Sequence, residues 1–206
     1  MTYLQLVNSV LRRLRENEVS TVSETSYSRL VGEFVNDAKR LVEDSYDWTA
    51  LRTTLTVSTI DTAFNYTLIG SQNKMKILDV INDTSNFFMQ YKTSRWMDRA
   101  FLINDVPTGT PQFYSFNGVD ANGDNGVDLY PKPDAAYQVR FNVVLRTADF
   151  TTNSEILTVP SSPVVQLATA LGARERGETG GTSAAELFGL ADRTLADAIA
   201  FDAAQH

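Results

Sequence analysis

The side chains that most enzymes use as nucleophiles or metal ligands are nearly absent from this 206-residue sequence. It contains no cysteine, and its single histidine is the last residue, His206. A chain terminus that frays is a poor place to hold catalytic geometry. Serine or cysteine nucleophiles activated by histidine, and histidine-ligated metals, are therefore excluded in practice, which leaves only carboxylate chemistry open.

Two acidic groups have the residue types needed for carboxylate catalysis. One contains Glu43, Asp44 and Asp47, and the other contains Glu175 and Glu178. The first group ends an amphipathic helical pattern and the second flanks a glycine-rich turn, so neither has the apolar surroundings that give two carboxyl groups different roles. We interpret both as solvated surface and predict that the protein is not an enzyme.

One loop in the middle of the chain resembles a metal site. Asp120, Asn122 and Asp124 match the first three ligand positions of a calcium-binding loop. The match then fails, because Asn125 stands where that loop needs glycine and Pro131 where it needs glutamate. Asn-Gly pairs are also strong signals for a hairpin turn. We predict a β-turn with no metal and no cofactor, and keep a calcium site as the weaker alternative.

Basic residues form two further candidate sites. Arg12, Arg13 and Arg15 lie at the end of the first helical pattern, where cations suit the helix dipole or could contact an acidic partner. Between residues 87 and 101, aromatic side chains alternate with lysine and arginine. Core aromatics or a subunit interface are favoured there over nucleic-acid stacking. The net charge of −7 also argues against DNA binding, since phosphate neutralisation supplies most of that affinity.

Helical patterns lie at both ends of the chain. Thr2 and Gln5 form a capping box for a first helix to about residue 15, and apolar residues at helical spacing predict a second helix over residues 27–44. Gly32 within it indicates close approach by another helix. Ser162 as N-cap, with Pro163 at the first helical position, opens a third helix, and a fourth follows a glycine cluster.

The middle of the chain alternates apolar and polar residues, as β-strands do. The predicted strands cover residues 51–57, 64–68, 76–81, 87–92, 112–116, 127–130 and 137–145. We predict an α+β fold, in which N- and C-terminal helices (residues 1–49 and 159–206) form a helical bundle and an antiparallel β-rich domain (residues 50–158) is inserted. No apolar run approaches the ~20 residues that a membrane helix needs.

One segment carries a family resemblance. Residues 127–143, VDLYPKPDAAYQVRFNV, place a strand, a proline-rich turn and a long strand in succession. Leu157-Thr-Val-Pro160 and an alanine-rich helix follow, and two helices precede the β region. This order over nearly the whole chain resembles the head-to-tail adaptor proteins of short-tailed bacteriophages, the tail tubular protein A or gatekeeper group.

The resemblance implies a structural virion protein, located in the neck or tail and made in the host cytoplasm. Its subunits are expected to form a ring, a dodecamer, that joins the portal protein to the tail nozzle or tail-tube protein. DNA would pass through the channel without specific binding. The candidate contact residues are Arg12, Arg13, Arg15, Asn122, Asp124 and Phe201.

Three alternatives to this interpretation remain open. The first is another neck or tail-completion protein of a phage. The others are a calcium-dependent carbohydrate-binding module and a carboxylate-dependent hydrolase, each with helical additions.

Overall fold

Helices lie at both ends of the chain and strands occupy its middle. The computed structural model describes residues 1–71, 75–177 and 183–204. Over these residues the helices are α1 (Tyr3–Arg13), α2 (Ser26–Ser45), α3 (Ser94–Phe101), α4 (Ser161–Glu175) and α5 (Ser183–Ala203). The strands are β1 (Arg52–Ser58), β2 (Asn65–Leu68), β3 (Met75–Asn82), β4 (Phe87–Phe88), β5 (Gln90–Tyr91), β6 (Phe113–Val119), β7 (Asn125–Tyr130) and β8 (Gln138–Leu145). This arrangement confirms the predicted α+β class.

The chain divides into two compact units. We call residues 1–51 and 146–206 the helical unit, and residues 52–145 the β unit. Residues 146–158, which the sequence assigned to the β-rich domain, lie with the helical unit. That each unit folds as an independent domain stays a prediction.

The helical unit is built on helices α1, α2 and α4. The side chain of Thr2 caps α1 by accepting a hydrogen bond from the backbone of Gln5, and the Gln5 side chain accepts one from Thr2 in return, as the sequence predicted. The apolar faces of the three helices meet in a buried core of Leu6, Val7, Val10, Val31, Val35, Ala38, Val164, Val165 and Ala168. Two glycines allow close packing: a Cβ on Gly32 would overlap the Tyr3 hydroxyl, and one on Gly172 would lie 2.7 Å from a Leu14 methyl.

Helix α4 begins two residues before the predicted start. Its N-cap is Pro160, which makes no side-chain capping bond, and Ser161 is the first helical residue. The prediction of Ser162 as N-cap and Pro163 at the first position is therefore wrong. The N–H groups of the first turn have no partner within a helix, so proline is accommodated at the third position as well as at the first.

A row of buried polar side chains on α2 binds the segment that returns from β8. The Asn36 amide donates to the Phe150 carbonyl (3.1 Å) and accepts from the Phe150 N–H (2.9 Å). One turn further on, the Lys39 ammonium donates to the carbonyls of Thr147 (3.0 Å) and Ala148 (2.7 Å). These bonds satisfy a stretch of backbone that no strand pairs, which is why residues 147–150 belong to the helical unit.

Glu43 completes this row and corrects a prediction. Its carboxylate lies 3.5 Å from the Lys39 ammonium, and both side chains are fully buried. It also accepts hydrogen bonds from the hydroxyl (2.6 Å) and the backbone N–H (3.2 Å) of Thr147. The interpretation of Glu43 as solvated surface is wrong, because its acidic neighbours in sequence concealed a position on the buried side of the helix.

The β unit consists of two four-stranded sheets with the orders β1-β8-β3-β4 and β2-β7-β6-β5. Among the described strands, all pairs are antiparallel except β5 with β6. Strands β4 and β5 are consecutive, separated only by the buried Met89, so one stretch of chain passes from the first sheet to the second. Between the sheets lies a core of Val57, Leu68, Val80, Met89, Tyr114, Val127, Leu129, Val139, Phe141 and Val143.

The β unit begins and ends at neighbouring positions. Strand β1 pairs with β8 so that Arg52 lies opposite Val144. Directly opposed residues of an antiparallel pair have Cα atoms about 5 Å apart. The unit is therefore inserted into the chain at two adjacent backbone points.

Candidate partner-binding surfaces

A groove of about 640 Å³ opens on the helical unit. It lies between the end of α1, the outer side of α4 and the first half of α5, and its lining residues are Arg13, Leu14, Arg15, Gln166, Thr169, Ala173, Arg176, Leu187 and Leu190. The aliphatic residues form its apolar floor, and the three arginines carry positive charge along its edge. We call it the arginine groove.

Arg176 is held in place by its neighbours. Its guanidinium lies over the Tyr27 ring, 4.7 Å from the ring centroid, and donates to the Tyr27 hydroxyl (2.7 Å) and the Leu14 carbonyl (2.7 Å). It also pairs with Glu16. Sequence reasoning did not select Arg176, because only the packing of α4 beside α1 brings it to the groove.

The predicted arginine cluster is only partly brought together. Arg12 pairs with Glu18 (2.7 Å) and does not line the groove. Arg13 lines it and donates to the Ser9 hydroxyl (2.6 Å). Arg15 follows the end of α1 in a left-handed conformation (φ 60°). Arg15 is exposed and has no ion-pair partner among the described residues, so it contributes uncompensated charge to the groove.

Helix α5 leaves much apolar surface exposed. It packs against α4, and among the residues of α5 whose side chains are described only Ala191 is buried. Leu190 is 42% exposed and Phe201 is 72% exposed. Asp197 is exposed, whereas Asp202 accepts hydrogen bonds from the backbone and hydroxyl of Thr49 (3.1 Å each). The predicted contact residue Phe201 therefore lies on an open face, with an exposed acidic residue one turn before it.

The segment around Asn122 forms the turn between β6 and β7 in the β unit. The Asp120 carboxylate accepts hydrogen bonds from the N–H groups of Asn122 (2.8 Å) and Asp124 (2.9 Å). The Asp124 carboxylate accepts one from the Gly70 N–H (3.0 Å). Backbone capping thus accounts for both carboxylates, and across the described part of the chain no three acidic or histidine side chains are grouped to hold a metal ion.

An aromatic cluster connects α3 to the outer face of the second sheet. Trp96 packs against Phe113 (ring centroids 5.3 Å apart) and Tyr130 (5.5 Å), and Phe101 packs against Tyr130 (5.6 Å). Lys92 lies over the Phe113 ring at 4.9 Å. Trp96 and Phe101 therefore pack on aromatic side chains of the second sheet, with Lys92 at the edge of the cluster, whereas Phe88 is exposed. A subunit interface at this face stays a prediction.

Comparison with known proteins defines the class of this chain. Residues 1–205 match the family model described as SU10 adaptor protein, so the chain belongs to this family of phage head-tail adaptors. It is accordingly a structural adaptor of a bacteriophage virion, and the predicted resemblance is confirmed. No curated protein matches the sequence. Among the described residues, no helix combines the length and apolar composition needed to cross a membrane.

Proposed function

We propose that this adaptor forms a ring that joins the portal protein to the tail nozzle or tail-tube protein and lines the channel for DNA. The observation that carries the proposal is the family match over residues 1–205. The two compact units support it, since an adaptor must contact one neighbour on each side and each unit offers a separate surface. Assembly would be driven by binding, with subunits closing into a cyclic ring on the portal.

The charge distribution supports a role in conducting DNA. The helical unit contains ten lysine and arginine residues against sixteen aspartate and glutamate residues, whereas the β unit contains eight against nine. A wall with excess negative charge does not retain a polyanion, because retention depends on neutralising phosphates. We therefore propose that the helical unit faces the channel. The purified protein should not retard duplex DNA in a gel at physiological salt.

Co-elution with the portal protein tests the proposal. The two purified proteins are mixed and separated on a sizing column with light scattering, and the portal ring should gain the mass of a full ring of adaptors. The adaptor alone should elute as a small, weakly associated species. Elution of the two proteins as separate peaks at all ratios would contradict the assignment. Binding to a tail-completion protein instead would place the chain at another level of the neck.

A further inference from the structure

We propose that the exposed end of α5 docks into the arginine groove of a neighbouring copy. The docking residues are Phe201, which would cover the apolar floor, and Asp197, which would face Arg13 and Arg15. This inference rests on the proposed function, since it supplies the contact between subunits of the ring. It commits to a second copy of this chain as the partner, for the three reasons that follow.

The first reason is the composition of α5. Large apolar side chains on a helix are normally buried against a neighbouring element, yet the described part of α5 packs mainly against α4. Its outward positions include Leu190, Ala196, Ala200 and Phe201, all of them exposed. Arg193 and Asp197 are also exposed on this side of the helix, so the outward face combines a few charges with large apolar side chains open to solvent. The outward face is therefore suited to burial in an assembly.

The second reason is complementary charge. Asp197 and Phe201 are four residues apart, so they lie side by side on one face of the helix. Together they form an acidic and apolar projection, with the exposed Arg193 one turn before Asp197 on the same helix. The groove has the opposite pattern, with an apolar floor and the arginines Arg13, Arg15 and Arg176. Of these, Arg176 already pairs with Glu16, which leaves Arg13 and Arg15 to attract the carboxylate of Asp197.

The third reason is that the end of α5 cannot reach the arginine groove of its own chain. Leu190 lines the groove, and Phe201 follows it eleven residues later on the same helix. At 1.5 Å per residue the two positions are about 16 Å apart. Phe201 therefore cannot reach the groove of its own subunit, and the complementary surfaces can meet only between copies.

Disulfide cross-linking tests the contact directly, because the chain contains no cysteine. Phe201→Cys and Gln166→Cys variants are purified separately, mixed at high concentration and oxidised, since Gln166 lines the groove. A covalent dimer containing one chain of each variant is expected. The control replaces Phe201→Cys with Asp192→Cys, which is exposed on the same helix but lies about two and a half turns earlier, on the opposite side of the helix from Phe201. Equal yields with the two partners would overturn the proposal.

Charge reversal tests the specificity. Arg15→Glu and Asp197→Arg should each weaken self-association about threefold to tenfold, in keeping with exposed charge pairs. The double variant should recover association, because the two exchanged charges would again be opposite in sign where they face each other between copies. Asp192→Arg is the matched control and should have no effect. Failure of the double variant to recover would refute the contact. If the wild-type portal complex still forms, only this inference fails and the proposed function stands.

Discussion

Lys39 is the residue whose environment departs furthest from expectation, because a lysine in a sequence like this one is normally solvated. Its burial alongside Glu43 removes two charges from water, and the Coulombic attraction alone seldom repays that desolvation. Here the carbonyls of Thr147 and Ala148 and the hydroxyl of Thr147 supply the remaining hydrogen bonds. Burial is the main cause that lowers the pKa of Lys39, and the Glu43 carboxylate opposes it.

Breaking this pair should destabilise the helical unit strongly. Lys39→Met leaves Glu43 buried without its counter-ion and two carbonyls without donors, so we expect a loss of about 3–5 kcal/mol in the free energy of unfolding. Arg40→Met is the control on the same helix, since the ion pairs of Arg40 with Asp37 and Asp149 are partly exposed; its loss should stay within about 1 kcal/mol. Urea denaturation followed by circular dichroism measures both. Similar losses for the two variants would contradict a special role for Lys39.

Tyr3 should give the protein a measurable pH dependence in alkali. Burial, aided by the nearby carboxylates of Glu33, Asp149 and Glu155, raises the pKa of Tyr3 to about 12. An unfolded tyrosine ionises near pH 10. The neutral Tyr3 therefore contributes its full stabilisation of the folded state below pH 10, and this stabilisation is lost as the pH rises to about 12. Between pH 10 and 12, the free energy of unfolding of Tyr3→Phe should fall by roughly 1–3 kcal/mol less than that of the wild type. Urea titrations at pH 9 to 12 would test this, and parallel profiles would refute it.

At the scale of single elements, part of the helix packing could be predicted from the sequence. Gly32 was expected to mark a close approach, and the approaching group is Tyr3 of α1, with Val22 beside it. The periodic spacing of apolar residues predicted α1, α2, α4, α5 and most strands, because local sequence fixes which face is buried, but it merged β4 and β5 into one strand. It could not find the buried Lys39 or the position of Arg176, since both depend on segments that are distant in sequence.

Two glycine-to-alanine changes separate packing from helix propensity. Gly32→Ala should destabilise the protein by about 1–2 kcal/mol, because overpacking near Tyr3 costs more than the improved helix propensity returns. Gly189→Ala is the matched control: apart from its own turn of helix, no atom lies within 4 Å of its added Cβ, so it should stabilise by up to about 1 kcal/mol. The melting temperatures of the two variants should shift in opposite directions from that of the wild type. A gain in stability for Gly32→Ala would show that Tyr3 moves aside freely.

At the scale of the whole molecule, the division into units has a clear test. Because Arg52 lies opposite Val144 and the unit has its own apolar core, we predict that residues 52–145 fold when expressed alone. A longer fragment, residues 50–158, should melt at the same temperature and lose its last residues to protease. Its residues 147–150 would lack the partners on α2 that hold them. An unfolded 52–145 fragment would show that the β unit depends on the helices.

The adjacent ends of the β unit also bear on the order of folding during synthesis. The ribosome releases α1 and α2 first, but their apolar faces are covered by α4, which is translated after the whole β unit. Domains generally fold as units while the chain is still growing. The β unit can therefore reach its native state while Val10 and Val35, both fully buried in the finished protein, are still uncovered. Those two helices are the segments a chaperone would have to shield until translation is complete.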